Sequence, residues 1–137
     1  MTMSPEEEQF LKEHRLCVLT TLRKDGAPQS TPVYYLYEEG RLLISLTRGR
    51  QKTHNALRDP RVSVCAMQEE RPFDYVQVMG SASITEEDLV ETSRRIWLRF
   101  RSPLPEDFEQ RMVDQQRVVM VVTPDRVVSR LAAPKPS

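Results

Sequence analysis

Leu16-Cys17-Val18-Leu19-Thr20-Thr21-Leu22-Arg23-Lys24-Asp25-Gly26-Ala27-Pro28-Gln29-Ser30-Thr31-Pro32-Val33 is the stretch that decides the fold. Leu16 to Leu22 is apolar on both of its alternating faces, which predicts a strand covered on both sides. Asp25-Gly26 supplies the residue types that tolerate positive φ, so a tight hairpin turn is expected there. A second strand then runs from about Pro28 to Tyr37. Gln29, Ser30 and Thr31 open it, Pro32 interrupts it, and Val33-Tyr34-Tyr35-Leu36-Tyr37 finishes it. Proline has no N–H for a ladder, so Pro32 predicts an edge or a bulge.

Outward from this hairpin the pattern repeats. Upstream, Ser4-Pro5-Glu6-Glu7 reads as a helix start, with Ser4 as N-cap and Glu7 closing a capping box. That helix is expected to reach about Glu13 and to bury Phe10 and Leu11. Downstream, Glu38-Glu39-Gly40 turns the chain into a third strand, Arg41 to Thr47. A short helix, Thr53 to Arg58, is stopped by Asp59-Pro60, and Arg61 to Gln68 and Tyr75 to Thr85 follow as strands. Thr85-Glu86-Glu87-Asp88 is expected to cap the main helix. Its Leu89, Ser93, Ile96, Trp97 and Phe100 form one stripe at helical spacing, which reads as core. Ser102-Pro103 ends it, Pro105 to about Asp114 forms another short helix, and Gln116–Val122 and Arg126–Leu131 are two last strands. Hairpins with inserted helices do not match the alternation of a parallel sheet. The fold class is therefore mainly β with inserted helices, six to seven antiparallel strands, and a barrel manages their edges best. One domain over 1–137 is expected, with 134–137 as a frayed tail.

Twenty basic and twenty acidic residues cancel, which argues against nucleic-acid or membrane-surface partners that need a large positive field. No apolar run approaches a membrane span, and no signal-peptide pattern is read in the acidic start, so a cytoplasmic location is expected. Cys17 and Cys65 fall in apolar strand runs and make no disulfide framework. His14 and His54 lack neighbours at ligand spacing, so no metal site is expected. With four glycines, neither a dinucleotide nor a nucleotide-hydrolase phosphate loop is present.

The run Thr47-Arg48-Gly49-Arg50-Gln51-Lys52-Thr53 stands where a strand hands over to a helix. A helix N-terminus carries partial positive charge, so acidic side chains are the stabilising choice there. Arg48, Arg50 and Lys52 add repulsion instead, unless an anion neutralises them. The same geometry is a phosphate site, and the junction is read as a pocket for a phosphorylated ligand; a solvated basic turn is the plainer reading of the run alone.

These pieces together resemble the FMN-binding split-barrel proteins related to pyridoxamine 5′-phosphate oxidase, and more narrowly their branch of deazaflavin (coenzyme F-420)-dependent reductases. The likeness rests on Leu16 to Leu22, Asp25 to Val33, Arg50-Gln51-Lys52-Thr53-His54-Asn55, Arg58-Asp59-Pro60-Arg61-Val62, and Tyr75 to Gly80. It implies a split β-barrel in which Gln29, Ser30, Thr31, Pro32 and Val33 lie along the edge of a flavin-type ring. Thr47 and Arg48 follow at the strand end, and Arg50, Lys52, Thr53 and Asn55 match the phosphate-binding helix start. The segment from Phe73 to Val76 matches one contributed by a second subunit, so the resemblance implies a homodimer with interfacial sites and Tyr75 reaching across. Gly49 departs from the pattern by sitting in a shortened stretch. The ending Ser129-Arg130-Leu131 is distantly similar to an Arg-Leu motif of the oxidase but lacks the aromatic residue before it.

No nucleophile–base arrangement, metal-assisted hydrolase or paired-carboxylate site is read in the chain, and no catalytic residue is assigned. Hydride transfer needs none, because the cofactor carries the hard step. Tyr34, Tyr35 and Tyr75 read as core or interface residues. Three functions follow: a coenzyme F-420-dependent oxidoreductase acting on a small-molecule substrate, an FMN-dependent enzyme, or a cofactor- or haem-binding protein without turnover. The first is favoured because deazaflavin carries a phosphodiester and an anionic tail, for which Arg48, Arg58 and Arg61 are further cations.

Overall fold

The structure, a computed structural model, describes residues 2–71 and 73–132. The expected tail at 134–137 therefore lies outside the described residues. Helix α1 (Pro5–Glu13) begins as expected: the Ser4 hydroxyl accepts from the Glu7 N–H while Glu7 accepts from the Ser4 N–H. Strand β1 (Leu16–Leu22) turns at Gly26, whose φ of +87° favours glycine, into β2 (Pro28–Tyr34). After β2 come β3 (Leu36–Glu38), β4 (Arg41–Thr47), α2 (Gln51–Arg58), β5 (Arg61–Met67) and β6 (Tyr75–Thr85). The chain continues through α3 (Leu89–Leu98), α4 (Phe108–Asp114) and β7 (Arg117–Arg130). One antiparallel sheet results, in the order β2-β1-β5-β6-β7-β4-β3. It curls so that β2 and β4 meet across the gap, giving a split half-barrel with four helices among the described residues.

The second strand differs from its expected form. It breaks at Tyr35, whose N–H donates to the Arg15 carbonyl (2.9 Å) and whose hydroxyl donates to the Leu11 carbonyl (2.8 Å). These bonds draw Tyr35 into the core, and the chain leaves β1 to pair with β4 at the opposite edge of the sheet. Pro32 does lie on an edge strand. The two expected last strands are instead one, β7, paired to β4 by its first half and to β6 along most of its length. Opposite Met79/Gly80 the register shifts, leaving Asp125 of β7 unpaired between Pro124 and Arg126, a bulge that lets the strand run past the proline. Gly80 lets the strands approach: a Cβ there would collide with the Thr123 carbonyl oxygen.

Alternation sets the core. Cys17, Leu19 and Thr21 of β1 face inward, with Val62, Val64 and Ala66 of β5, Val76 and Val78 of β6, and Val118, Met120 and Val122 of β7. Leu42, Ile44 and Leu46 close the far side, and Phe10 and Leu11 of α1 plug one end. The outward face of β1, expected to be covered, is half-exposed in the single chain. Among the described residues no helix is long and apolar enough to cross a membrane.

The helix starts also shift. Helix α2 begins two residues earlier than expected, making Arg50 the N-cap and placing Lys52 in the first turn. Thr85 caps only the turn before α3, accepting from the Glu87 N–H (3.0 Å), and α3 follows from a left-handed Asp88. Helix α4 begins at Phe108, after a turn closed by its N–H on the Pro105 carbonyl.

Candidate functional site

Helix α2 starts without help from its own sequence. No side chain caps it, and no acid stands in its first turn. What fixes it is the strand before it: the Thr47 carbonyl accepts from the Arg50 N–H (3.1 Å) and from the Thr53 hydroxyl (2.8 Å). Behind the helix, the fully buried Asn55 amide donates to the Thr21 hydroxyl and to Gln29 Oε1, both at 3.1 Å. Thr53 and Asn55 thus look into the fold and hold the helix start, while Arg50 and Lys52 look out of it.

In front of the helix lies a cavity of about 400 Å³ at the seam between the two sheet edges. Val33 and Tyr34 of β2 form one lip, and Ser45, Leu46 and Thr47 of β4 the other. Helices α3 and α4 roof it with Ile96, Trp97, Phe100, Phe108 and Met112. The roof is an aromatic cluster: Tyr34 and Phe100 stack at 4.0 Å between centroids, and Trp97 tilts onto Phe100 at 5.4 Å. Ser93 ties α3 to β4 through Ser45 (3.1 Å), and Arg95 pairs with Glu38 of β3. At the other end of α3, the Arg99 guanidinium donates to the carbonyls of Lys12 and His14 at the end of α1. Four residues of the stripe read as core, Ser93, Ile96, Trp97 and Phe100, therefore line the cavity.

One end of this cavity is cationic. Arg50, Lys52 and Arg117 all line it, and among the described residues no carboxylate pairs with any of them. Burial pushes the Lys52 ammonium below the ordinary lysine range, and Arg50 and Arg117 push it further. Burial likewise lowers the Arg117 guanidinium, with Arg50 adding to the effect. An uncapped helix start beside unpaired, partly desolvated cations favours a bound anion. Arg111 also lines the cavity but is paired with Asp107 (3.0 Å).

Of the residues singled out in the sequence, the cavity gathers Val33, Thr47, Arg50 and Lys52. The run Gln29 to Val33 divides between two faces. Gln29, Thr31 and Val33 share the inner face with Thr21, Leu19 and Cys17, whereas Ser30 and Pro32 turn outward, Ser30 bonding to Thr20 (2.7 Å). Arg48 pairs with Glu86 on the surface, and Arg61 pairs with Asp59. Arg58 donates to the Leu22 carbonyl. Tyr75 stands on the outward face, opposite Met67 and Arg130, away from this cavity. The sequence reading missed Arg117, because a single arginine opening an apolar strand carries no local signal.

The residues fit a phosphorylated ring cofactor at two places. Among the described residues the cation cluster has no paired carboxylate, and the Trp97 indole N–H on the cavity wall is buried with no hydrogen-bond partner. The former suits a phosphate and the latter a polar ring edge.

Residues 3–130 match the family model described as pyridoxamine 5′-phosphate oxidase. An F420 reductase of solved structure is 25% identical, with a TM-score of 0.76 over 92% of this chain and 98% of that one. A conserved hypothetical protein from Mycobacterium tuberculosis is 29% identical, with a TM-score of 0.76 over 94% of this chain and 85% of its own. The haem storage protein of Vibrio cholerae is 17% identical, with a TM-score of 0.72 over 94% of this chain and 95% of that one. That last likeness is one of fold alone.

Proposed function

The chain belongs to the pyridoxamine 5′-phosphate oxidase family, and from that premise we propose that it is an oxidoreductase that binds coenzyme F-420 and transfers hydride to or from a small organic substrate. The observation that carries this reading is the unpaired cluster of Arg50, Lys52 and Arg117 at the uncapped start of α2, opening into an aromatic-walled cavity. The likeness to an F420 reductase along nearly the whole chain supports the choice of deazaflavin.

In this reading Arg50 and Lys52 hold the cofactor phosphate by charge-assisted hydrogen bonds. Thr53 and Asn55 keep their helix start in place, and Thr47 links it to β4. Gln29, Thr31 and Val33, on the inner face of β2, border the ring, and Ser30 and Pro32 contribute only through their backbone. Arg48, paired with Glu86 at the strand end, stands beside the site and not in the cavity wall. Tyr34, Trp97 and Phe100 exclude water from the ring's surroundings. When bound, the ring supplies two-electron hydride chemistry, and the protein contributes binding, orientation and electrostatics. A second copy of the chain would cover the outward face of β1, β5 and β6, whose Val18, Thr20, Ser63, Cys65, Gln77 and Met79 are uncharged and half-exposed. Tyr75 stands on the same face and would reach the second copy's site.

FMN is the second reading, favoured by three cations where a phosphate monoester brings two charges. Absorbance titration of the purified protein with each cofactor separately, with solution mass measured before and after, tests both. Tight binding of F-420 by a dimer is the expected result. Tight binding of FMN alone would transfer the function to the second reading, and binding of neither would refute the first.

A further inference from the structure

Arg117 reaches the anion site from the far side of the chain. It opens β7, directly after α4, and its guanidinium is half-buried between β4 and α4. Its Nε donates to Gln115 Oε1 at 2.8 Å and its Nη1 to the Ser45 carbonyl at 3.4 Å. Two of its five donors are thereby committed, and the fork keeps the rest for another acceptor. Gln116 adopts a left-handed conformation (φ +51°), and its carbonyl accepts from the Arg48 N–H at 2.9 Å. The loop that carries Arg117 is thus bonded to the loop that carries Arg50. A partly desolvated guanidinium beside two other cations, with no carboxylate pairing with it among the described residues, is an arrangement that folding alone does not favour.

We propose that Arg117 is a third cation of the ligand's anion site, with Gln115 as its positioning residue, and that the site takes a ligand bearing two negative charges. The proposal rests on the anion-site reading above and adds the charge of the ligand to it. Against three cations a single negative charge leaves a net charge of two in a half-buried cavity, whereas two negative charges leave one. Arg50 and Lys52 approach from the helix start, and Arg117 from the first position of β7, paired in the ladder with Thr47. An arginine there, rather than a lysine, gives a fixed fork that can take two oxygens side by side. The second charge has two possible sources: the dianionic form of a phosphate monoester, or a carboxylate just behind a phosphodiester.

The experiment compares Arg117→Gln, Arg117→Lys, Gln115→Ala and Arg50→Gln with the parent protein. Each is titrated with FMN, with coenzyme F-420, and with a methyl phosphodiester of the deazaflavin, which bears a single negative charge, and each is melted empty. Arg117→Gln is expected to weaken the doubly charged probe by roughly ten- to a hundredfold while the empty protein melts no lower. Arg117→Lys restores part of that loss, since it keeps charge but not the fork. Gln115→Ala moves affinity in the same direction, by less, and is without effect when Arg117 is already Gln. A loss concentrated on FMN identifies the monoester as the source, and a loss concentrated on intact F-420 identifies the tail. An equal loss on the singly charged methyl phosphodiester overturns the two-charge requirement. A lower melting temperature of empty Arg117→Gln with ligand affinities unchanged makes Arg117 a structural strut and overturns the proposal. If Arg50→Gln weakens binding and Arg117→Gln does not, the proposal fails alone. If neither weakens it, the anion-site reading fails with it.

Discussion

Replacing Asn55 by alanine separates the scaffold of the site from its ligand contacts. The Asn55 side chain is fully buried and makes hydrogen bonds to Thr21 and Gln29 through its N–H groups. Its oxygen accepts from Gln51 at 2.8 Å and, more weakly, from Arg58. Each buried bond contributes on the order of 1 kcal/mol net, and a partner left unsatisfied costs about 1–3 kcal/mol more. Thr21 is also fully buried and cannot turn to water, whereas Gln29 is half-exposed and can. The sum is about 2–4 kcal/mol, most of it from Thr21 and the lost packing. For a domain of this size that lowers the melting temperature by on the order of 10 °C. Calorimetry of the empty protein reads this directly, and hydrogen exchange along α2 should show its amides opening more readily. Cofactor affinity should fall less than tenfold, because only the footing of Arg50 and Lys52 is loosened. An unchanged melting temperature with collapsed affinity would refute the reasoning and make Asn55 a ligand contact.

Two further outcomes follow from particular groups. Gly80→Ala places a methyl against the Thr123 carbonyl and 2.9 Å from its carbon; it should cost roughly 1–3 kcal/mol, or more if the β6–β7 ladder parts, seen as a lower urea midpoint at unchanged slope. Lys52 has a folded pKa below its ordinary 10.5, from burial and then from Arg50 and Arg117, so its charge destabilises the empty protein at neutral pH. That cost is relieved as pH rises through the lowered value and is gone above 10.5. The stability advantage of empty Lys52→Gln over the parent should therefore shrink across that window in denaturant titrations, and the parent's cofactor affinity should fall over the same range. A pH-independent gap would contradict this.

What the sequence made legible was local. The Ser4 capping box and the Asp25-Gly26 hairpin depend on neighbours a few residues away, and both formed as read. Arg50 and Lys52 stood out because basic side chains at a helix start go against the helix dipole. The break at Tyr35 was not legible, because its cause is tertiary: bonds to Arg15 and Leu11, which lie outside the strand. The continuity of β7 was not legible either, because the bulge at Asp125 that lets the strand run past Pro124 is set by its pairing with β6. Trp97 obeyed the helical stripe, yet periodicity gives the face of a helix and not whether that face meets packed side chains or a cavity. Arg117 shows no pattern in its own segment at all, and only folding brings it to the start of α2.

The crossing at Tyr35 has a mechanical consequence. Because β2 and β3 are the outermost strands and are consecutive in the chain, one residue stitches the β2 lip to the strand paired with the β4 lip. Between the lips there is no ladder of backbone bonds, so the gap can be wedged wider or drawn tighter around an inserted molecule while every rung of the sheet stays intact. The stitch also limits how far the lips can separate, since Tyr35 is moored to α1 at its hydroxyl. A foreign strand seeking to extend either border meets the other border beside it, which blunts the edge-to-edge pairing that open sheets invite. The barrel is thus an adjustable clasp, fastened at one point.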